Sequence, residues 1–238
     1  MISIICPTYQ SADTLPALIE SVLRQTSSAY ELIIIDGAST DNTLNILNTY
    51  ANRLRYISEP DHGIYHAMNK GIAMARGTWL YFIGADDTLY DSSVIEKIDR
   101  YCQTTDADML LCDVMLTGQR RVSSRFSWAT FLHNTIHHQG CIYRKGILLQ
   151  RPYDTSYKVM ADYDLNLFLW RSNCKILSTD IIFANHALRG VSATPRLLNY
   201  KEEIHIRNRY ITSTPLKPLK PLLALLSYMK MCYKRLTH

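Results

Sequence analysis

No stretch of this sequence approaches the roughly 18 consecutive apolar residues that a bilayer-spanning helix requires. A secretory leader is not expected either, because Met1 runs straight into the strand-like segment ISIICPTY. The six cysteines, Cys6, Cys102, Cys112, Cys141, Cys174 and Cys232, form no CxxC pair and have no zinc-like spacing with histidine. That pattern argues against a disulfide scaffold and fits reduced, structural thiols in a cytoplasmic protein. There is no P-loop, no GxGxxG and no Ser/His/Asp set that would suggest nucleophilic catalysis. Internal repeats and low-complexity tracts are missing too. What remains is a chain of 238 residues, 47% apolar and 20% charged, long enough to bury the core of one globular domain.

The net charge of +5 is unevenly spread. Residues 196–238 hold nine Lys/Arg against Glu202 and Glu203, which leaves 17 Lys/Arg against 19 acids in the rest. A basic tail on a slightly acidic body argues against nucleic acid as partner. Such a binder would carry its basic patch, with exposed aromatics, on the domain itself.

Hydrophobic periodicity alternates strands and helices through the first half. Strands are expected over 2–6, 31–35, 54–58, 79–83 and 109–114. Helices are expected over 15–25, 43–53, 64–75 and 94–102, with Ser39 and Asp41 offering caps for the second and Gly77 closing the third. That order predicts an α/β, doubly wound, mostly parallel sheet. The second half is less regular: a short helix over 126–134, a short strand over 140–143, an amphipathic helix over 162–170 and one or two strands over 175–184. After about residue 213, TPLKPLKPLL is punctuated by Pro215, Pro218 and Pro221. A final helix there has apolar residues at Leu222, Leu225, Leu226, Met229, Cys232, Tyr233 and Leu236. The expected organisation is one domain over 1–212, in two halves (1–115 and 116–212), then a basic amphipathic tail (213–238).

In open α/β sheets, ligands collect outside the carboxyl ends of the strands. The suggestive residues stand there: Pro7-Thr8-Tyr9, Asp36-Gly37, Glu59-Pro60-Asp61 and Asp86-Asp87 end four consecutive strands. Asp86-Asp87 suits Mg²⁺ or Mn²⁺, which take oxygen ligands and share their shell with substrate phosphates. The same pair also reads as a solvated helix N-terminus. Asp36 reads either as a strand-ending turn or as an acceptor for a nucleobase or ribose. Asp162 stands where a helix begins, so it is either a cap or a general base. His137-His138-Gln139 and His186 are weaker signals.

The segments ISIICPTYQSADTLPALIESVLRQT, ELIIIDGASTDNT, SEPDHGIYHAMNKGIAMARGTWLYFIGADD, HHQGCIYRK and MADYDLNLFLW together resemble the family-two glycosyltransferases, an inverting family with the GT-A fold. The resemblance runs from residue 2 to about 190 and is densest over the first 90. SEPDxGIYxAMNKG is similar to bacterial enzymes that build O-antigen or other surface polysaccharides. The resemblance implies a single Rossmann-like GT-A domain of hexosyltransferase type. It implies that Pro7, Thr8, Tyr9 and Asp36 line the nucleoside pocket, with Asp61 beside it. Asp86 would approach the ribose, Asp87 would ligate a divalent metal, Mn²⁺ or Mg²⁺, and His186 would join it. Gly140 would lie near the donor sugar, and Asp162 would be the catalytic base. Two departures stand out: Gly84 and Ala161 occupy positions where the family often has an acid.

The implied reaction is a metal-assisted single displacement from a nucleotide-sugar donor, with UDP the favoured nucleotide. The acceptor expected is a polyprenyl-diphosphate-linked glycan, presented to a peripheral enzyme on the inner leaflet through the basic tail. A helix packed on the domain, or on a partner in a homodimer, is the alternative reading of the tail. A sugar-phosphate nucleotidyltransferase is the competing enzyme class, disfavoured because residues 9–13 lack a Gly-rich basic loop. A non-catalytic scaffold is disfavoured by the retention of Asp86, Asp87 and Asp162.

Overall fold

The computed structural model describes residues 1–116, 120–187 and 197–211, and beyond them residues 218, 221–223, 225, 228 and 229. The first half follows the expected alternation: β1 (Ile2–Thr8), α1 (Leu15–Leu23), β2 (Tyr30–Asp36), α2 (Thr43–Thr49), β3 (Arg55–Ser58), α3 (Ile64–Met74) and β4 (Trp79–Phe82). Then come β5 (Thr88–Leu89), α4 (Val94–Thr104), β6 (Met109–Leu116), β7 (Arg120–Val122), α5 (Trp128–Leu132), β8 (Cys141–Arg144), α6 (Lys145–Gln150), α7 (Ala161–Arg171), β9 (Ile176–His186) and α8 (Leu197–Ile211). A 3-10 turn, His138–Gly140, precedes β8.

The strands form one mixed sheet in the order β3-β2-β1-β4-β8-β6-β9-β5, with β7 paired to β6. Its first four strands are parallel. Strict alternation makes this a buried, two-faced sheet. Ile2, Ile4 and Cys6 of β1 join Leu32, Ile34, Trp79 and Tyr81 in one apolar layer, under α1, α2 and α4. Ile5, Ile33, Ile35, Leu80 and Phe82 point into the other layer, with α3, α6, α7 and α8. Each fully buried aliphatic side chain contributes about 1.5–3 kcal/mol of transfer free energy.

The fifth expected strand does not extend the parallel series. Between β4 and β6 lies β8, antiparallel to both. Two reversals restore direction, so β6, and β9 parallel to it, run the same way as β4. The carboxyl ends of β1–β4, β6 and β9 therefore share one edge, and β8 begins there. Residues 138–140, leading into β8, and His186, ending β9, are brought to the edge where Asp86-Asp87 follows β4. The short β5 pairs with β9 at Asn185 and Ala184, tying that acidic loop to it.

Several expected details shift. Helix α3 ends at Met74 with Ala75 as its cap, two residues before Gly77. Gly140 closes the 3-10 turn instead of opening the strand. Helices α6 and α8 carried no expectation. The expected tail helix lies largely outside the described residues; of its apolar residues, Leu222, Leu225 and Met229 are exposed, while Leu223 is buried. Among the described residues no helix is long and apolar enough to cross a membrane.

Candidate active site

The loops after β1 and β2 are zipped together by side chains. Gln10 N donates to Ser39 Oγ at 2.8 Å and Gln10 Nε2 to Thr40 Oγ1 at 2.8 Å. Asp41 N donates to Gln10 Oε1 at 3.0 Å and Ala12 N to Asp41 Oδ2 at 3.0 Å. Gln10 and Ala38 adopt left-handed φ values of 52° and 61°, a cost that such cross-loop bonds can sustain. Ser39 thus serves this junction rather than capping α2, whose cap residue is Asn42.

Asp36 is fully buried at the end of β2. It accepts from Ser39 N at 3.0 Å, from Ser39 Oγ, and from Ser58 Oγ at 2.6 Å. A Cβ on Gly37 would fall 2.9 Å from Asp61 Oδ2 and 3.4 Å from Tyr9 Cδ2, so Tyr9, Asp36 and Asp61 gather around one bare backbone position. Tyr9 is exposed, and Gly63 N donates to Asp61 Oδ1 at 2.8 Å. Pro7 and Thr8 are buried at the end of β1. Thr8 Oγ1 makes no hydrogen bond among the described residues, an uncommon state for a buried hydroxyl. The expected nucleoside residues are therefore together.

Asp87 is 1% exposed and densely bonded. Its Oδ1 meets His186 Nδ1 at 2.8 Å and Ala187 N at 3.0 Å. Its Oδ2 accepts longer bonds, from Gln139 Nε2 at 3.2 Å and Gly84 N at 3.3 Å. Burial disfavours charge on His186, but the Asp87 hydrogen bond and the charges of Asp87 and Asp86 outweigh it and raise its pKa. With Nδ1 engaged, His186 has Nε2 as its remaining ligating nitrogen.

A Cβ on Gly84 would lie 2.9 Å from both Asp86 Oδ1 and Asp87 Oδ2. Glycine thus leaves the two carboxylates a shared space, and their hard oxygens fit a divalent cation. Among the described residues no three His, Cys, Asp or Glu side chains converge as a complete metal site. Two carboxylates with space between them suit a cation that takes the rest of its oxygen shell from outside the protein.

Asp162 stands in the first turn of α7, 8% exposed. Tyr65 OH lies 3.0 Å from Asp162 Oδ1 and donates to Val159 O at 2.7 Å; Asn134 Nδ2 lies 3.5 Å from Asp162 Oδ2. Burial and the Asp162 charge hold the Tyr65 hydroxyl well above its usual pKa, so it stays a donor. Asp164 faces elsewhere and pairs with Arg151 at 2.7 Å. The segment 134–139 thus touches Asp162 through Asn134 and Asp87 through Gln139. Between them His138 is half-buried, its ring stacked 5.5 Å from the Phe82 ring, with both ring nitrogens shielded from solvent and neither bonded among the described residues. Burial lowers its pKa despite the charges of Asp162 and Asp87, leaving it neutral.

Gly140 is a packing requirement: a Cβ there would sit 2.4 Å from the Cys112 carbonyl oxygen. Tyr65, Asn134 and Ser58 were not singled out from sequence; Ser39 was read only as a helix cap, and Gln139 only within the weak signal His137-His138-Gln139.

A model described as "Glycosyl transferase family 2" matches residues 3–159, ending just short of Asp162. A PGL/p-HBAD biosynthesis glycosyltransferase of Mycobacterium tuberculosis is 37% identical over 180 residues, 70% of this chain and 68% of that one. The structure of Staphylococcus aureus TarS 1–349 in complex with UDP-GlcNAc superposes with a TM-score of 0.71 at 20% identity, over 94% of this chain and 70% of that one. The mannosyltransferase PcManGT from Pyrobaculum calidifontis, in complex with GDP-Man and Mn²⁺, gives 0.69 at 17%, over 95% and 69%. Those two likenesses bear out the expected fold. With the family match covering most of its length and that relative so similar, this chain belongs to glycosyl transferase family 2 and is a transferase.

Proposed function

We propose that this transferase moves one hexose from a nucleoside diphosphate sugar, a UDP-sugar first among them, to a polyprenyl-diphosphate-linked glycan, building a bacterial O-antigen-like surface polysaccharide. The observation that carries the reading is the span of segment 134–139, which touches the buried Asp162 at one end and the Asp86-Asp87 corner at the other. The UDP-GlcNAc and GDP-Man complexes of the structural neighbours support a nucleotide-sugar donor, and the Mn²⁺ in one supports a divalent cation. The mycobacterial relative is named as a glycosyltransferase of PGL/p-HBAD biosynthesis, which supports a biosynthetic role.

Pro7, Thr8, Tyr9, Asp36 and Asp61 hold the nucleoside, with Asp86 toward the ribose and Gly140 in the floor near the sugar. Asp162 takes the proton from an acceptor hydroxyl within hydrogen-bond distance. That oxygen attacks the anomeric carbon from the face opposite the nucleotide, and the bond from that carbon to the diphosphate oxygen breaks. An α-linked donor therefore yields a β-glycoside. Asn134, whose Nδ2 lies 3.5 Å from Asp162 Oδ2, helps keep that carboxylate oriented. Mn²⁺ or Mg²⁺ held by Asp87, with His186 beside it, would neutralise charge on the departing diphosphate. The exposed Leu222, Leu225, Tyr228 and Met229 on a basic tail support attachment to an anionic inner-leaflet surface.

Nucleotide release from UDP-, dTDP- and GDP-sugars, with Mn²⁺, Mg²⁺ or EDTA and a lipid extract as acceptor, tests this. Release from one donor that vanishes with EDTA, in Asp87→Ala and in Asp162→Ala supports the reading. No release from any donor, together with no nucleotide-sugar binding in Mn²⁺, removes it.

A further inference from the structure

Helix α8 carries a carboxylate with an unusual set of partners. Glu202 is 7% exposed and reaches across to the residues just before α7. It accepts from Lys158 N at 2.7 Å, Val159 N at 3.0 Å and Met160 N at 3.0 Å. Three consecutive amides directed at one carboxylate form an anion-binding concavity of the kind that backbone nests provide. Here the chain fills it with its own side chain. Bonds from N–H to an ionised acceptor are about twice as strong as neutral ones.

The clamped residues lead directly into the candidate base. Met160 is the cap of α7, its carbonyl accepts the first helical bond from Asp164 N at 3.1 Å, and Asp162 is two residues on. Val159 is held from both sides, its N–H by Glu202 and its carbonyl by Tyr65 OH. The same Tyr65 hydroxyl contacts Asp162 Oδ1. Helix α8 is itself fixed to α7, since Arg171 donates to Tyr210 O at 2.6 Å and Tyr210 OH lies 3.2 Å from Asp164 Oδ1. Glu202 and Tyr65 thus grip one peptide from opposite sides, and Asp162 projects from the next turn.

We propose that Glu202 is a positioning residue for the reaction, setting the height and angle of the α7 N-terminus so that the Asp162 carboxylate meets the acceptor hydroxyl. This rests on Asp162 being the base. Glu202 contacts neither the nucleoside pocket nor the acidic pair, so its loss acts on turnover and leaves nucleotide binding alone.

The test compares Glu202→Gln, Glu202→Ala and Asp162→Asn in the full chain. Turnover per folded molecule is measured with the best donor of the UDP-, dTDP- and GDP-sugar panel, and affinity is measured for the matching nucleoside diphosphate with Mn²⁺. Glu202→Ala is expected to lower kcat by about 10- to 100-fold, the scale of an ångström-size misplacement. Nucleotide affinity should stay within about twofold. Glu202→Gln keeps one carbonyl acceptor and should fall by only ~3-fold, since its bonds are weaker without the charge. If Glu202→Ala does not fold, the glutamine variant carries the comparison. Asp162→Asn inactive with both Glu202 variants at wild-type kcat overturns this inference alone. A parallel loss of nucleotide affinity and kcat also overturns it, marking Glu202 as merely structural. Asp162→Asn with wild-type turnover sinks the base assignment and this inference with it.

Discussion

Replacing Gly84 by alanine probes the acidic corner with the least chemical change. The added methyl carbon would stand 2.9 Å from Asp86 Oδ1 and from Asp87 Oδ2, where ordinary contact begins at 3.4 Å. Both carboxylates must then withdraw by about 0.5 Å, the limit within which a functional group keeps its productive geometry. Asp87 resists that shift because four donors hold it: His186, Ala187 N, Gln139 and Gly84 N. The strain therefore falls on the space between the two acids, where a cation would sit. We expect kcat/KM to fall by about 10- to 100-fold, roughly 1.4–2.7 kcal/mol of transition-state stabilisation. The Mn²⁺ concentration for half-maximal rate should rise by about tenfold, the consequence of misplacing oxygen ligands. Gly146→Ala is the matched control, since nothing lies within 4 Å of a Cβ there. Nucleotide release titrated with Mn²⁺ reads both variants. Wild-type rate and Mn²⁺ dependence in Gly84→Ala would show that the corner does not hold the reacting diphosphate's counter-ion.

Gly140→Ala should destabilise the fold by about 1–3 kcal/mol, the usual cost of overpacking, because its Cβ meets the Cys112 carbonyl oxygen at 2.4 Å and two backbones cannot yield as side chains do. An unchanged urea midpoint refutes it. Glu31 accepts from Ser3 Oγ at 2.7 Å, Arg76 N at 2.6 Å and Arg55 Nη1 at 2.9 Å; burial opposes its charge, but these partners win and lower its pKa. A folded pKa below the unfolded one contributes stability above the unfolded value, about 4.3, and loses it as pH falls through the folded value. Glu31→Gln should therefore be less stable near neutrality and flatten the acid limb of a stability–pH curve; an identical limb refutes the assignment. Burial pushes the thiols of Cys6, Cys112 and Cys141 up, Cys112 to about 12, so alkylation at pH 8 should reach them only on unfolding. Mass-spectrometric labelling of any of the three at a free-thiol rate in the native protein contradicts that burial.

The parallel half of the fold was legible because its signals are local. Near-continuous apolar runs such as those in Ile2–Thr8 and Tyr30–Asp36 match a strand buried on both faces. The spacing of Leu15, Leu18, Ile19 and Val22 matches one face of a helix. Once those strands are parallel, the acids following them must share an edge, so the residues gathered at that edge could be named in advance. Helix α8 was not legible: its sequence, LLNYKEEIHIRNRYI, mixes buried charges such as Glu202 and Glu203 with apolar residues, which blurs the pattern. Ser39 read as a cap because Ser before a helix usually is one. Its actual partners, Gln10 and Asp36, include a residue 29 positions away.

The amino-acid sequence by itself determined the strand–helix alternation, the edge on which the acids collect and the family. These depend on side-chain period and turn chemistry among near neighbours. Only the tertiary structure decided which groups act on one another. Antiparallel β8, inserted between β4 and β6, delivers Gln139 to Asp87 across 52 positions and aligns β9 so that His186 meets Asp87 across 99. Tyr65 reaches Asp162 across 97. Such pairings follow from strand order and from the burial that makes an unpaired charge costly, neither of which is written in any local stretch of the chain.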